Sequence, residues 1–180
     1  MLAALMPLLP PYAPGSSAHN HHVSSSVRQG VRLAVDPGSV RVGIARSDAS
    51  GLLAFPVVSA RRNVDDLDTL KTLVAEFEVS AIYVGLPLSL AGADTASTKD
   101  ARDYAQMLAT ELAPVSVWLL DERLTTVTAA GSLRQSGKDA RAQRDTIDAA
   151  AAAVLLQHAL DAEAASGEAV GVIVEVDDGN

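Results

Sequence analysis

Three places along the chain put carboxylates where secondary-structure elements end or begin: Asp36, the pair Asp121 and Glu122, and Asp145 with Asp148. Asp36 closes the alternating run 31–36, and Pro37 and Gly38 follow it, so it stands where an extended segment gives way to a tight turn. Asp121 and Glu122 close the apolar run that begins at 115. Alternation from Trp118 and Leu120 puts Glu122 on their face and Asp121 on the other. Asp145 and Asp148 are three residues apart near a helix start, hence on one face, and the alanine run 149–153 follows. Such small residues let a helix lie close to a sheet, which would carry Asp148 toward the strand ends that bear Asp36 and Glu122. Carboxylates gathered in one pocket repel one another and stay ionised only beside cations. An all-oxygen donor set suits Mg²⁺ or Mn²⁺. Two such ions roughly 4 Å apart activate a water and stabilise the leaving oxygen of a phosphodiester. Each acid also has a plainer use. Asp36 could satisfy turn amides, Glu122 could pair with Arg123, and Asp145 could serve as an N-cap or first-turn acid, the role that its place favours. Asp148 is the hardest to explain this way, because it precedes an otherwise apolar stripe.

The elements that would position these groups follow from periodicity. Residues 31–36, 41–47 and 52–59 read as three short antiparallel strands. Gly43 allows close approach of another backbone or a ligand. Residues 64–78 have apolar positions 67, 70, 73, 74 and 77 at helical spacing, with acids crowding the first turn. Residues 81–87 and 115–122 are buried-type strands. The spacing predicts helices over 95–112, 125–135 and 145–165, a polar loop over 88–94 and a basic loop over 137–144. Strands reached through helices after an antiparallel meander imply an α/β fold, a mixed five-stranded sheet flanked by helices. Residues 1–28 are apolar but broken by prolines and lack the basic start of a secretory signal, and they read as a disordered extension. Residues 29–165 form the domain. Residues 166–180 form an acidic tail whose VGVIVEV run is either an added edge strand or disordered.

Net charge is −8, yet the sign is unevenly spread. Residues 28–62 carry six Arg against two Asp, and residues 123–144 carry four Arg and one Lys against one Asp. Brought together, these segments would attract phosphate; apart, they are solvated surface. The chain has no Cys, which excludes disulfides, Cys-ligated zinc and thiol catalysis and fits a reducing cytosol. No apolar run reaches membrane-spanning length, so a cytoplasmic protein without membrane contact is expected. Aromatic residues are scarce, and Trp118 in its strand is a core residue rather than a platform for bases.

The segments VRLAVDPGSVRVGIARSD, IYVGLPLSLAG, LLDERLTT and GKDARAQRDTIDAAAAAVLL, in that order, resemble the YqgF/RuvX family over roughly residues 30–162. Its members are RNase H-like nucleases, described as Holliday-junction resolvases or as processors of the 5′ end of pre-16S ribosomal RNA. The resemblance implies an RNase H-like sheet. It implies a catalytic and metal-binding triad of Asp36, Glu122 and Asp148, with Asp36 bridging two Mg²⁺ or Mn²⁺ ions and the other two each completing one. It places Arg41, Arg123, Lys138, Arg141 and Arg144 where nucleic-acid contacts are expected, although Arg123 could equally tie down its own loop. The implied activity is an endonuclease on pre-rRNA or branched DNA, leaving 5′-phosphate and 3′-hydroxyl ends. A resolvase making two symmetric cuts would be a homodimer, whereas the ribosomal reading needs none. Two other readings stand beside it: a non-catalytic nucleic-acid-binding factor of the same fold, and an actin-like ATPase. The latter usually needs a second phosphate loop, for which the only later Asp-Gly is Asp178-Gly179 in the polar tail.

Overall fold

The computed structural model describes residues 30–89, 91–124 and 140–176. Three strands open the domain: β1 (Arg32–Pro37), β2 (Arg41–Ser47) and β3 (Ala54–Arg61). β1 and β2 are antiparallel, as are β2 and β3. β3 begins two residues later than its apolar pattern suggests and runs on to Arg61. Asp48 is the reason: its carboxylate accepts the N–H groups of Leu52 and Leu53 at 2.8 and 2.9 Å, closing 48–53 into a turn before the ladder starts. Helix α1 (Asp66–Phe77) follows, then β4 (Ala81–Leu86), helix α2 (Ala96–Glu111) and β5 (Ser116–Asp121). Thr95 caps α2 through a reciprocal pair of bonds with Thr98. A short 3-10 turn (Glu122–Leu124) leaves β5, and helix α3 (Ala140–Ser166) crosses the sheet.

α3 starts earlier than its apolar stripe suggests. Residues 140–144, expected as the end of a basic loop, are helical. Ala, Arg and Gln are among the better helix formers and nothing in ARAQR breaks a helix, so charge alone is no argument for a loop there. Asp145 is therefore neither an N-cap nor a first-turn acid. The helix expected over 125–135 lies outside the described residues.

The sheet runs β3-β2-β1-β4-β5-β6, with β4 parallel to β1 and β5 parallel to β4. Its first five strands are the three antiparallel and two parallel ones read from the sequence. The sixth, β6 (Val172–Ile173), comes from the acidic tail and pairs antiparallel with Trp118 and Leu119 of β5. Two-residue alternation sorts the core into two layers. Leu33, Val35, Val42, Ile44, Ile82, Val84, Val117 and Leu119 pack with Leu70, Tyr104 and Leu108 of α1 and α2. Ala34, Ala45, Tyr83 and Leu120 pack with Ala152, Leu155, Leu156, Ala159 and Leu160 of α3, and Trp118 lies against the same cluster. Among the described residues no helix is long and apolar enough to cross a membrane.

One ion pair is locked inside the α3 layer. Arg32 is fully buried and donates from Nη2 to Glu163 Oε2 at 2.7 Å, while the Tyr83 hydroxyl donates to the other oxygen of Glu163. This joins the first strand to the far part of the last helix. Breaking a buried pair leaves the partner's charge uncompensated, so Glu163→Ala is expected to lower the unfolding free energy by about 3–5 kcal/mol. Urea denaturation of the two proteins checks this; equal midpoints would show that the pair contributes nothing.

Candidate active site

The site lies at the end of the sheet where β1 stops. Asp36 pairs across to Gly43 of β2, and paired positions share a face. Ala34 and Ala45, two residues back on each strand, belong to the α3 layer, so Asp36 and the bare Cα of Gly43 face α3. On the other side β1 pairs with β4 up to Val35 and Val84, and Gly85 is the next residue of β4. Tyr83 faces α3, so Gly85 does too. The central carboxylate therefore stands between two glycines that leave the α3 side open.

Both openings are filled by the other two acids. A Cβ on Gly43 would lie 2.0 Å from the carbonyl oxygen of Asp148, so the backbone of α3 is seated directly on that residue. A Cβ on Gly85 would lie 2.7 Å from Oε1 of Glu122 and 3.3 Å from Leu155. Glu122 has left the β5 ladder for the 3-10 turn, yet its carboxylate sits on the face that alternation from Leu120 assigns it. Asp36, Glu122 and Asp148, each half-buried, are thus brought to one end of one face by a strand, a turn and a helix.

Carboxylate oxygens alone form the donor set, which is the chemistry of a hard divalent cation. Among the described residues no three acidic or imidazole side chains already enclose a common point. The carboxylate of Asp148 turns toward β2 and β3: Ser59 Oγ donates to its Oδ2 at 3.3 Å, and Arg41 Nε lies 4.0 Å from the same oxygen. Arg41 Nε also donates to Ser59 Oγ at 3.2 Å. The donor set fits a hard cation in its chemistry, with the Asp148 carboxylate held to one side by Ser59 and Arg41.

The expected nucleic-acid contacts have different surroundings. Arg41 is beside Asp148. Arg123 is fastened to Asp121, with Nε to Oδ1 at 3.0 Å and Nη2 to Oδ2 at 2.6 Å. The guanidinium beside Asp121 holds that carboxyl below its ordinary range. Arg123 also lies under the loop after β4: a Cβ on Gly92, whose φ is +78°, would meet Nη1 at 2.8 Å. Among the described residues its hydrogen bonds are thus within its own turn, to Asp121, with the Gly92 loop packed close by. Arg141 and Arg144 fall in the first turns of α3, and Lys138 lies outside the described residues.

The arginines of 28–62 do not form one patch. Arg32 is buried with Glu163, Arg46 stacks on Phe55 and Phe77, and Arg62 covers Tyr104 while pairing with Asp100. Arg41 and Arg61 are at the site end of the sheet. Arg28 lies outside the described residues. Sequence reasoning missed Ser59 and the part played by Gly85. Ser59 carries no local signal, since its partner is 89 residues away. Gly85 does carry one, an apolar strand ending in a bare Cα, whose meaning depends on what lies over it.

Set against known proteins, residues 30–162 match the sequence model of a family described as RuvX, Holliday junction resolvase. A Thermobifida fusca protein provisionally named pre-16S rRNA nuclease is 50% identical over 156 residues, covering 83% of this chain and 98% of its own. A Nocardioides protein of the same name is 46% identical over 154 residues, covering 83% and 99%. Among solved structures, Thermus thermophilus RuvC in complex with a Holliday junction substrate aligns with a TM-score of 0.49 at 17% identity, covering 81% of this chain and 99% of that one.

Proposed function

The chain belongs to the RuvX family, and from that membership we propose that it is a divalent-metal-dependent endonuclease acting on structured nucleic acid, with the 5′ end of pre-16S ribosomal RNA as its first candidate substrate. The observation that supports this best is the meeting of Asp36, Glu122 and Asp148 across Gly43 and Gly85. Asp36 is the central ligand, on the strand end between the two glycines. Glu122 approaches from the β5 side and Asp148 from α3. Mg²⁺ or Mn²⁺ held there would activate a water for in-line attack on phosphorus and stabilise the leaving oxygen. The sheet end brings the three residues near one another beforehand, with the Asp148 carboxylate turned aside by Ser59 and Arg41, so part of their mutual repulsion is met in folding rather than during reaction.

Arg41 has two tasks in this reading. In the free protein it and Ser59 offset the charge of Asp148. With substrate bound, it is the cation nearest the reacting phosphate. Arg123, held by Asp121, presents its exposed edge to the backbone of the nucleic acid. Arg141 and Arg144 supply further charge at the start of α3, and Lys138 ahead of it. Recognition then depends on phosphate charge and backbone shape. The choice of RNA rests on the names of the two relatives. It is tested by incubating the protein with Mg²⁺ and either a 5′-extended 16S rRNA fragment or a four-way DNA junction, with Asp36→Asn as control. Cutting of the RNA by the wild type alone is expected. Preferential cutting of the junction would make it a resolvase, and binding without cutting of either would make it a binding factor.

A further inference from the structure

We propose that Arg61 and Arg41 together form a phosphate clamp beside the acidic site, and that the Asp65 carboxylate holds its anion position in the free protein. This rests on the nuclease reading above and adds to it a contact residue, Arg61, outside the motifs that carry the family likeness. β2 and β3 pair Arg41 with Arg61 directly, and Gly43 with Ser59. Ser59 touches Asp148, which fixes the face, and two-residue alternation then puts both arginines on the α3 side with Asp36 and Asp148. Arg41 is two residues from Gly43, roughly 7 Å along the strand, and Arg61 is one strand further, roughly 5 Å across. The pair therefore continues the site toward the β3 edge.

Like charges directly opposite on neighbouring strands destabilise a sheet unless an anion lies with them. Here Asp148 lies beside Arg41, and Asp65 is paired with Arg61. Asp65 stands at the N-cap position of α1, where an Asp ordinarily accepts from the first amides of its own helix, and its side chain makes no such bond. It turns back to accept from the backbone N–H of Arg61 at 2.6 Å and from Arg61 Nε at 2.9 Å. Both arginines act on it: Arg61 first, by hydrogen bonds and charge, and Arg41 by charge alone, hold its carboxyl below the ordinary range. The Arg61 side chain is 63% exposed, so a ligand can reach it. Arg62, one residue on, faces the other layer and is used up by Asp100 and Tyr104. A backbone phosphate has the charge and the oxygens to take the place of Asp65 on Arg61, across the strand pair from Arg41, and its forked geometry suits guanidiniums. Displaced, Asp65 is free to cap α1, so exchange costs little.

The test is the salt dependence of binding of a fluorescein-labelled RNA stem-loop, measured with Ca²⁺, which fills oxygen sites without the strict octahedral geometry of Mg²⁺. Removing one cation that touches a phosphate lowers the slope of log affinity against log salt by about one. Arg61→Gln is expected to shed about one unit of slope and bind several-fold more weakly at physiological salt, with unchanged melting. Asp65→Asn, which removes the competing charge, is expected to bind more tightly than wild type. A wild-type slope in Arg61→Gln, with the wild type itself binding, would overturn the clamp and leave the nuclease reading intact. Unchanged or weaker binding by Asp65→Asn would overturn the placeholder role of Asp65. Failure of the wild type to bind would overturn the nuclease reading itself.

Discussion

Asp36→Asn, Glu122→Gln and Asp148→Asn are each expected to reduce cleavage of structured nucleic acid by more than about a hundredfold, since even indirect ligand-supporting residues are worth about 10–100-fold at metal sites. Folding should survive in all three. The side chains are half-buried, and the replacements keep their shape. Removing one charge also relieves the repulsion among the rest, so melting temperatures should stay level or rise. That combination separates a site from a structural cluster: a structural role would show as reduced stability, a catalytic one as reduced turnover in a protein at least as stable. Cleavage measured beside thermal melting, on the same preparations, reads both at once.

Gly43→Ala is expected to damage stability and cleavage together. The new methyl carbon would lie 2.0 Å from the Asp148 carbonyl oxygen and 2.4 Å from its carbon, both backbone atoms of α3. Neither can rotate away, so the helix must lift. Forcing atoms into a packed interior costs about 1–3 kcal/mol, and a displacement near 1 Å in a reacting group costs about a hundredfold in rate. Gly85→Ala offers the contrast. Its methyl would meet the far end of the Glu122 side chain at 2.7 Å, which can swing aside. Cleavage should fall while the denaturation midpoint moves less than in Gly43→Ala. Equal stability losses in the two variants would contradict the distinction between a backbone seat and a side-chain seat.

Much of this is visible in the chain because two-residue alternation reports faces, and the site is built on faces. Leu33 and Val35 against Ala34 and Asp36 already sort β1 into two layers, and Trp118, Leu120 and Glu122 do the same for β5. The alanine run after Asp148 signals a close helix, and Gly43 signals where a backbone could come near. What stays hidden depends on distant partners. Arg32 reads as a polar outward position on an alternating strand, and only Glu163, 131 residues away, explains why it is buried. Ser59 and Arg61 look like ordinary edge-strand residues until register places them beside Asp148 and Arg41. The start of α3 is obscured because the charge of ARAQR masks its helix propensity. The start of β3 is obscured because Leu52 and Leu53 are apolar although Asp48 holds them in a turn. The VGVIVEV run is ambiguous alone, since an edge strand needs a neighbour with an open edge, which β5 provides.

In the proposed enzyme one strand, one turn and one helix contribute carboxylates to a single divalent-metal site. Calorimetric titration of Mn²⁺ into the wild-type protein and into Asp36→Asn, Glu122→Gln and Asp148→Asn tests it most directly. Saturable binding is expected for the wild type and, for every single variant, affinity weaker by about tenfold or more, with all four proteins folded. Wild-type Mn²⁺ affinity in any one of the three variants would remove that carboxylate from the site and overturn the three-carboxylate metal centre.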